Sequence, residues 1–428
     1  MGVLINTMEK NRRHSLWYEK LFFNRWFQAF LGLVIVLILP ALIYWGWGFW
    51  HDLNQKHTVS LLGAMIAYAI SISAVRHLSS FPGARAFAYI VPTITIAYVV
   101  MVGVVLFLGL EYSRTFLLIS YVVAGFYCCL GYLVGSKYKV QKLAVVPYGK
   151  VHQFCKIPGA DWRWLSEPSL QDMRVDGVVA DLRGELSDEW QKFLAECTIH
   201  RIPVYNARQV YESITGRVHL DHLYENRYGS LIPREDYEIV KRFFDFIAVI
   251  LVMPFVLPIM AVTALLIKRD DPGPAIFTQQ RMGFHCRPFK VYKFRSMYLH
   301  HEGLGFTSEG EDPRITRIGK VIRKYRIDEL PQLFNVLKGD MSLIGPRPES
   351  INLAEWYERD VPFFHYRHVV RPGISGWAQV EQGYAAEVEG MTTKLEYDFY
   401  YIKNFSFWLD ILIVIRTIKT MLTGFGAR

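Results

Sequence analysis

Four apolar runs in the first third of the chain, at about 26–50, 59–75, 86–110 and 115–135, constrain its fold more than any other feature. A helix needs roughly 20 consecutive apolar residues to span the hydrocarbon of a bilayer, with a range of about 17–25. All four runs reach that length, the second only just. Trp45, Trp47 and Trp50 stand near one end of the first, where an interfacial aromatic belt belongs. The charges between the runs argue against a buried helical core in a soluble protein. Lys10, Arg12, Arg13, Lys20 and Arg25 precede the first run, Arg76 and Arg85 occupy the second loop, and Lys137, Lys139 and Lys142 follow the fourth. The first and third loops hold only Lys56 and Arg114. By the positive-inside rule both ends of a four-helix transmembrane bundle, residues 1–140, face the cytoplasm. The basic start followed by a long apolar run reads as a retained anchor, since a signal peptide has a shorter apolar region and a small-residue cleavage site.

The net charge of +9 suits a protein that faces an anionic membrane or handles phosphates. No recognisable nucleic-acid module accompanies it, so nucleic acid is excluded as a partner. Cys128, Cys129, Cys155, Cys197 and Cys286 are odd in number and contain no C-x-x-C pair, which disfavours a disulfide framework or a zinc site.

Residues 141–237 change character. Leu143-Ala-Val-Val-Pro147, Gly177-Val-Val-Ala-Asp181 and Ile202-Pro-Val-Tyr205 read as short buried strands, with a helix from Ser187 to Thr198 between two of them. This alternation predicts a small Rossmann-like α/β domain on the cytoplasmic side. A dinucleotide site needs a glycine-rich turn after the first strand. Here that turn is Pro147-Tyr-Gly149-Lys150, with one glycine, which favours a structural or regulatory role.

The remainder, 238–428, opens with another apolar stretch, 241–267, interrupted by Asp245, Pro254 and Pro258. Lys241-Arg242 and Lys268-Arg269 bracket it, so the charge rule keeps both ends in the cytoplasm. Two prolines four residues apart bend a helix sharply. A re-entrant helix that dips in and returns satisfies both facts. A proline-kinked fifth span is the alternative, and it would put everything after 268 outside.

Three basic or acidic pieces follow. Arg281 ends the first stretch; Lys290, Lys293 and Arg295 lie on a strand-like stretch, the last two on one face, either a grip for a diphosphate or an ordinary solvated surface. Arg317, Lys320, Arg323 and Lys324 recur at helical steps, a stripe to lie against lipid phosphates or to remain solvated. Asp328-Glu329 comes directly after it. Carboxylates among several cations are expected to stay ionised at neutral pH, as a nucleophile or a ligand of Mg²⁺ requires. Gly345-Pro-Arg-Pro348 would hold Arg347 on a stiff loop, as a phosphate-gripping guanidinium should be held. His365 and His368 lack further ligands for a metal role. The run 405–419 reads as a helix at the membrane interface. For Tyr397, Tyr400, Tyr401 and Trp408, headgroup and core positions are equally open.

From Lys241 onward, just under half the chain, these pieces together closely resemble the polyprenyl-phosphate hexose-1-phosphate transferases, the monotopic phosphoglycosyl transferases of bacterial glycan assembly. The resemblance rests on Lys241-Arg-Phe-Phe-Asp-Phe246, Val291-Tyr-Lys-Phe-Arg-Ser-Met297, Asp328-Glu-Leu-Pro-Gln-Leu-Phe-Asn-Val-Leu-Lys-Gly-Asp-Met-Ser342, Gly345-Pro-Arg-Pro348 and Arg371-Pro-Gly-Ile-Ser-Gly-Trp-Ala-Gln379. It implies an α/β catalytic domain with a re-entrant helix broken at Pro258, Pro254 being extra, and the layout of the long members that initiate O-antigen, capsule or exopolysaccharide synthesis at the inner membrane. It implies UDP-sugar and undecaprenyl phosphate as substrates, membrane lipids as partners, and a homodimer as one option. Asp328 matches the nucleophile of a two-step transfer that releases UMP. Glu329 matches its Mg²⁺-associated partner; Arg323 and Arg347 match phosphate-binding arginines, with Lys293, Arg295, Arg281 and Arg371 as further phosphate candidates. Glucose and galactose are the sugars expected of long members. Two rivals remain: a membrane-anchored nucleotide-sensing scaffold, and the same enzyme acting in one ternary complex with Asp328 as a metal ligand.

Overall fold

The computed structural model describes residues 13, 17–22, 24–51, 53–82, 87–137, 140–171, 173–220, 232–298, 312–382 and 388–423. It divides into two compact units, Met1–Gly216 and Arg217–Arg428. Arg217 and Val218 join the second unit, where the Val218 amide bonds to the Glu396 carbonyl at 3.0 Å.

In the first unit a short helix α1 (Trp17–Phe22) precedes four long ones, α2 (Arg25–Trp45), α3 (Gln55–Ser79), α4 (Phe87–Phe107) and α5 (Arg114–Lys137). All four long helices are long and apolar enough to cross a membrane. Asn24 and Asn54 cap α2 and α3, accepting the Trp26 and His57 amides at 2.8 and 2.9 Å, which satisfies donors that a helix start leaves open. α3 outruns its apolar core because polar residues extend it at both ends, and Ser60 and Ser71 are buried within it by donating to carbonyls four residues back. Bonds between these helices include Ser120 Oγ to the Val36 carbonyl at 3.1 Å, the Tyr127 hydroxyl to the Gln28 carbonyl at 2.6 Å, and Tyr98 with Ser120 Oγ at 2.9 Å. Gly32 is where two helices approach closely, for a Cβ there would meet the Tyr68 hydroxyl at 2.0 Å. Phe107, Phe126 and Leu118 point outward, as on a lipid-facing surface.

The rest of this unit is a four-stranded parallel sheet in the order β2-β1-β3-β4: β1 (Gln141–Val145), β2 (Ala160–Trp164), β3 (Gly177–Ala180) and β4 (Val204–Asn206). Helices α6 (Val151–Phe154), α7 (Asp188–Ile199) and α8 (Ala207–Thr215) connect the strands and follow the last of them. At the turn after β1, Gly149 has φ of +70°, and a Cβ there would strike Asp181 Oδ2 at 2.7 Å. Buried Asp181 accepts the Lys150 and Arg183 amides at 3.1 and 3.2 Å. The backbone donors that a dinucleotide fold offers to phosphate are thus taken by a carboxylate, which repels phosphate.

The second unit begins with α9 (Glu235–Asp270), assigned helical throughout, Pro254 and Pro258 included. Its entry is fastened by Lys241 Nζ to Asp410 Oδ2 at 2.6 Å and by Ser342 Oγ to Asp245 Oδ2 at 2.5 Å. Its exit is fastened by the Ile318 amide to Asp270 Oδ2 at 3.1 Å and by Arg295 to Asp271 at 3.3 Å. Between the two, Val249, Val256, Met260 and Ile267 join the core of Val291, Phe294, Ile322, Leu333 and Met341. Leu251, Phe255 and Leu265 remain exposed.

An antiparallel hairpin of β5 (Ile276–Met282) and β6 (Pro288–Phe294) follows, then α10 (Arg317–Lys324), a 3₁₀ turn at Ile327–Glu329 and α11 (Gln332–Lys338). Strand β7 (Ser342–Ile344) and helix α12 (Ile351–Asp360) lead to a 3₁₀ segment, Phe364–Val369. Next come β8 (Gly373–Ser375), parallel to β7, and helices α13 (Trp377–Glu381), α14 (Val388–Lys403) and α15 (Phe407–Thr423). Gly373 is forced by the β7–β8 crossing, since a Cβ would meet the Gly345 amide nitrogen at 2.0 Å. Asn335, fully buried, stands in for a neighbouring strand of β6: its Oδ1 accepts the Tyr292 amide at 3.1 Å and its Nδ2 donates to the Lys290 carbonyl at 2.7 Å. That locks the register of β6 against α11 and the turn before it. Tyr397, Tyr400 and Tyr401 are buried, so core packing is the outcome for these three; α15 buries Leu409, Leu412 and Ile413 and exposes Phe407, Val414 and Ile418.

Candidate active site

The site is built where the 3₁₀ turn meets β6 and the loop after β7. Thr316 caps α10 by accepting the Gly319 amide at 2.8 Å, and Arg317, Lys320 and Lys324 are exposed on its outer side. Two residues past the end of α10, Arg326 has a left-handed φ of +54°. For a non-glycine residue that conformation costs on the order of 1–3 kcal/mol. The reversal swings Asp328 and Glu329 toward β6.

Glu329 is buried and meets three cations. Arg347 Nη2 donates to its Oε1 at 2.6 Å, Lys293 Nζ lies 3.5 Å from the same oxygen, and Arg326 Nη1 is 3.7 Å from Oε2. Burial pushes this carboxyl up, but Arg347 and Lys293 outweigh it and hold it well below the ordinary range. Asp328 is partly exposed and, among the described residues, its carboxylate makes no hydrogen bond or ion pair. Burial and the neighbouring Glu329 charge push Asp328 up to about 6, against the pull of Lys293, Arg347 and Arg323. The sequence expectation of two firmly ionised carboxylates is therefore met at Glu329 and softened at Asp328. Burial lowers Lys293 to about 8, with Arg347 adding to the effect.

Beside the pair, Arg281, Val291, Lys293, Gln332, Arg347 and Pro348 line a shallow hollow. Three of its six lining residues are cations, so the charge of its lining suits an anion. Arg281 is braced by Gln279 Oε1 and by the Pro348 carbonyl at 2.9 Å. Arg323 presents a buried Nη1 that has no hydrogen-bond partner among the described residues.

This constellation sits in a stretch that the family profile described as bacterial sugar transferase matches over residues 236–424. Over 424 residues, 98% of this chain and 100% of the relative, the sequence is 49% identical to the UDP-N-acetylgalactosamine-undecaprenyl-phosphate N-acetylgalactosaminephosphotransferase of Aeromonas hydrophila. The chain belongs to the bacterial sugar transferases. The UDP-glucose:undecaprenyl-phosphate glucose-1-phosphate transferase of Caulobacter vibrioides is 40% identical to this transferase over 201 residues, 46% of this chain and 75% of the relative. The protein of the same description from Escherichia coli K12 is 39% identical over 183 residues, 42% of this chain and 39% of the relative.

Not every expected residue of the transferase enters the cluster. Arg295 lies just past the end of β6 and turns back to Asp271 and the carbonyls of Asp271 and Pro272, so it fastens the exit of α9. Arg371 pairs with Glu238 and lies over the Phe284 ring at 4.7 Å, lining a separate hollow with Lys241, Arg242 and Asp245. Pro254 and Pro258 lie inside α9, outside this cluster. His368 is buried beside Arg367, and burial then that charge lower it to about 3, so it stays neutral. Gln332 stands inside the Asp328–Ser342 motif and Arg326 two residues ahead of it, with no spacing that singles either out.

Among the described residues no group of three His, Cys, Asp or Glu side chains gathers as a metal site. Two carboxylates would supply the protein's share for Mg²⁺ when substrate phosphates supply the rest: among the described residues Asp328 has open oxygens and Glu329 Oε2 has its 3.7 Å contact.

Proposed function

We propose that this chain transfers N-acetylgalactosamine 1-phosphate from its UDP derivative to undecaprenyl phosphate, releasing UMP, as the first membrane step of a surface polysaccharide. The relative named for that sugar matches end to end, while those named for glucose match 46% or less of this chain. This favours N-acetylgalactosamine over the glucose or galactose expected from sequence. The observation that carries the reaction is the contrast between two adjacent carboxylates, Glu329 held by three cations and Asp328 held by none.

In this reading an Asp328 oxygen attacks the β-phosphorus, and the bond from that phosphorus to the bridging oxygen breaks. UMP leaves with the bridging oxygen and its electron pair, and the sugar phosphate stays on Asp328 as an acyl phosphate. An oxygen of undecaprenyl phosphate then attacks the same phosphorus and the carboxylate departs. Lys293, Arg281, Arg323 and Arg347 bind the diphosphate and offset its charge; such preorganised donors are commonly the largest catalytic contribution. Mg²⁺, held by Asp328 and Glu329, would add Lewis-acid neutralisation of the same phosphates. Incubation with UDP-sugars and no lipid acceptor tests this: UMP release and a phosphosugar-sized mass on the 328 peptide are expected, fastest with UDP-N-acetylgalactosamine. UMP formed only when the lipid is present would exclude the covalent route.

We further place the catalytic unit on the cytoplasmic face of the inner membrane, with α2 to α5 spanning and α9 re-entrant. Support comes from both ends of α9 being fastened to one folded body, which a crossing helix would have to leave on opposite sides. Exposed Cys286 in that body supplies a native probe. A thiol reagent that cannot cross the membrane should leave it unmodified in intact spheroplasts and modify it after lysis. Modification of the Cys286 peptide before lysis would reverse the topology.

A further inference from the structure

A cluster of buried charges sits behind the site and touches none of its reacting groups. Arg367 is 1% exposed, in the 3₁₀ segment Phe364–Val369. Its Nη2 lies 2.8 Å from Asp398, and its Nη1 lies 3.6 Å from Glu349, which in turn pairs with Lys394. The Arg367 Nη2 also donates to the backbone carbonyl of Arg347, at 2.8 Å.

That carbonyl belongs to a loop held at every step. The carbonyls of Pro346, Arg347, Pro348 and Glu349 accept, in order, from the Gly373 amide at 3.0 Å, Arg367, Arg281 at 2.9 Å and the Met282 amide at 3.0 Å. Pro346 and Pro348 have fixed φ and no amide hydrogen, so carbonyls are what the loop has to be held by around Arg347. Three of the four donors belong to the hairpin or to β8. Arg367 alone is brought from elsewhere, and at the residue whose side chain grips Glu329.

Burying a guanidinium is expensive, and apolar replacement of a buried ion cluster is often neutral or stabilising. A role in stability alone therefore explains the arrangement poorly. We infer that Arg367 is a positioning residue for Arg347: it fixes the backbone from which that guanidinium reaches the phosphate, and Asp398 and Glu349 flank and orient it. The inference rests on the proposed phosphate role of Arg347.

The test is a double-mutant cycle, Arg367→Met crossed with Arg347→Ala, in the full-length protein in detergent. The readout is single-turnover UMP release from UDP-N-acetylgalactosamine, with thermal melting recorded for each protein. Arg367→Met alone is expected to slow release about 10- to 100-fold, the scale of a misplaced catalytic group. In the Arg347→Ala background it should add less than about twofold, because the residue it acts through is gone. The same factor in both backgrounds, or no slowing in either, would overturn the inference. If Arg347→Ala itself left UMP release intact, the phosphate role of Arg347 would fall first and the inference with it. Should Arg367→Met not fold, Arg367→Lys retains the charge facing Asp398 and Glu349 while losing the planar fork, and the same additivity criterion decides.

Discussion

Asp328→Asn should lower UMP release by about ten-thousandfold or more, the scale seen when a nucleophile is removed, while making the metal-free protein more stable at neutral pH. Both halves follow from the same carboxylate. Asn keeps the shape of the side chain but cannot form the acyl phosphate, so the first half-reaction stops. The stability half is a matter of sign. Burial and the Glu329 charge raise the folded carboxyl to about 6, above its unfolded value. A group raised on folding contributes stability that is fully present below its unfolded pKa and lost as pH rises through the folded one. Between about pH 4 and pH 6 the native enzyme therefore gives up stability that the Asn variant keeps. Above that window the difference is on the order of 3 kcal/mol. Melting curves in EDTA at pH 4.5 and 7.5 would show the Asn variant gaining on the native protein as pH rises. A variant that melts lower at pH 7.5, with a gap independent of pH, would mean that Asp328 is not the strained partner. The same shift predicts that native UMP release falls away on the acid side as Asp328 takes up its proton.

Much of this could be read along the chain. The four long apolar helices, the α/β alternation and the Asp328-Glu329 pair with its basic approach rest on periodicity and local composition, which sequence displays directly. The misses have physical causes. Strand β2, Ala160-Asp-Trp-Arg-Trp164, is an edge strand with no clean apolar alternation. Arg295 has the correct strand parity with Lys293, but the strand ends at Phe294 and parity no longer decides where the side chain goes. Arg371 is claimed by Glu238, more than a hundred residues earlier. Asp328 was expected to be ionised because its sequence neighbours are cations. At about 6 it is still ionised at neutral pH, but burial, which no linear spacing reveals, and the adjacent Glu329, which takes Arg347 and Lys293 for itself, raise it above the ordinary carboxylate range. The Arg367 cluster is legible only in three dimensions, its members being scattered from Glu349 to Asp398.

Glu329→Gln should behave as the opposite of Asp328→Asn, and that opposition separates the roles of two residues adjacent in sequence. Its folded carboxyl is depressed, so it contributes stability above its unfolded pKa, lost only as pH falls toward the folded value. Removing the charge leaves Arg347, Lys293 and Arg326 partly unpaired in a buried site. Breaking such a cluster costs about 3–5 kcal/mol, and about 2–4 is expected here because Asp328 inherits some of the attraction. Unlike the gain in the Asn variant, this loss should be constant from about pH 5.5 to 8 and shrink only in stronger acid. Activity should fall by about two orders of magnitude or more, since the cations that face the diphosphate lose the anchor that aims them. What survives should carry a signature. With the Glu329 charge gone and three cations remaining, Asp328 loses a contribution that raises it, so the acid limb of UMP release should move to lower pH in the Gln variant. A limb that stayed in place would assign the native limb to a group other than Asp328. A limb that moved upward would mean that Glu329 shields Asp328 rather than opposing its ionisation, and the division of labour between nucleophile and anchor would have to be reversed.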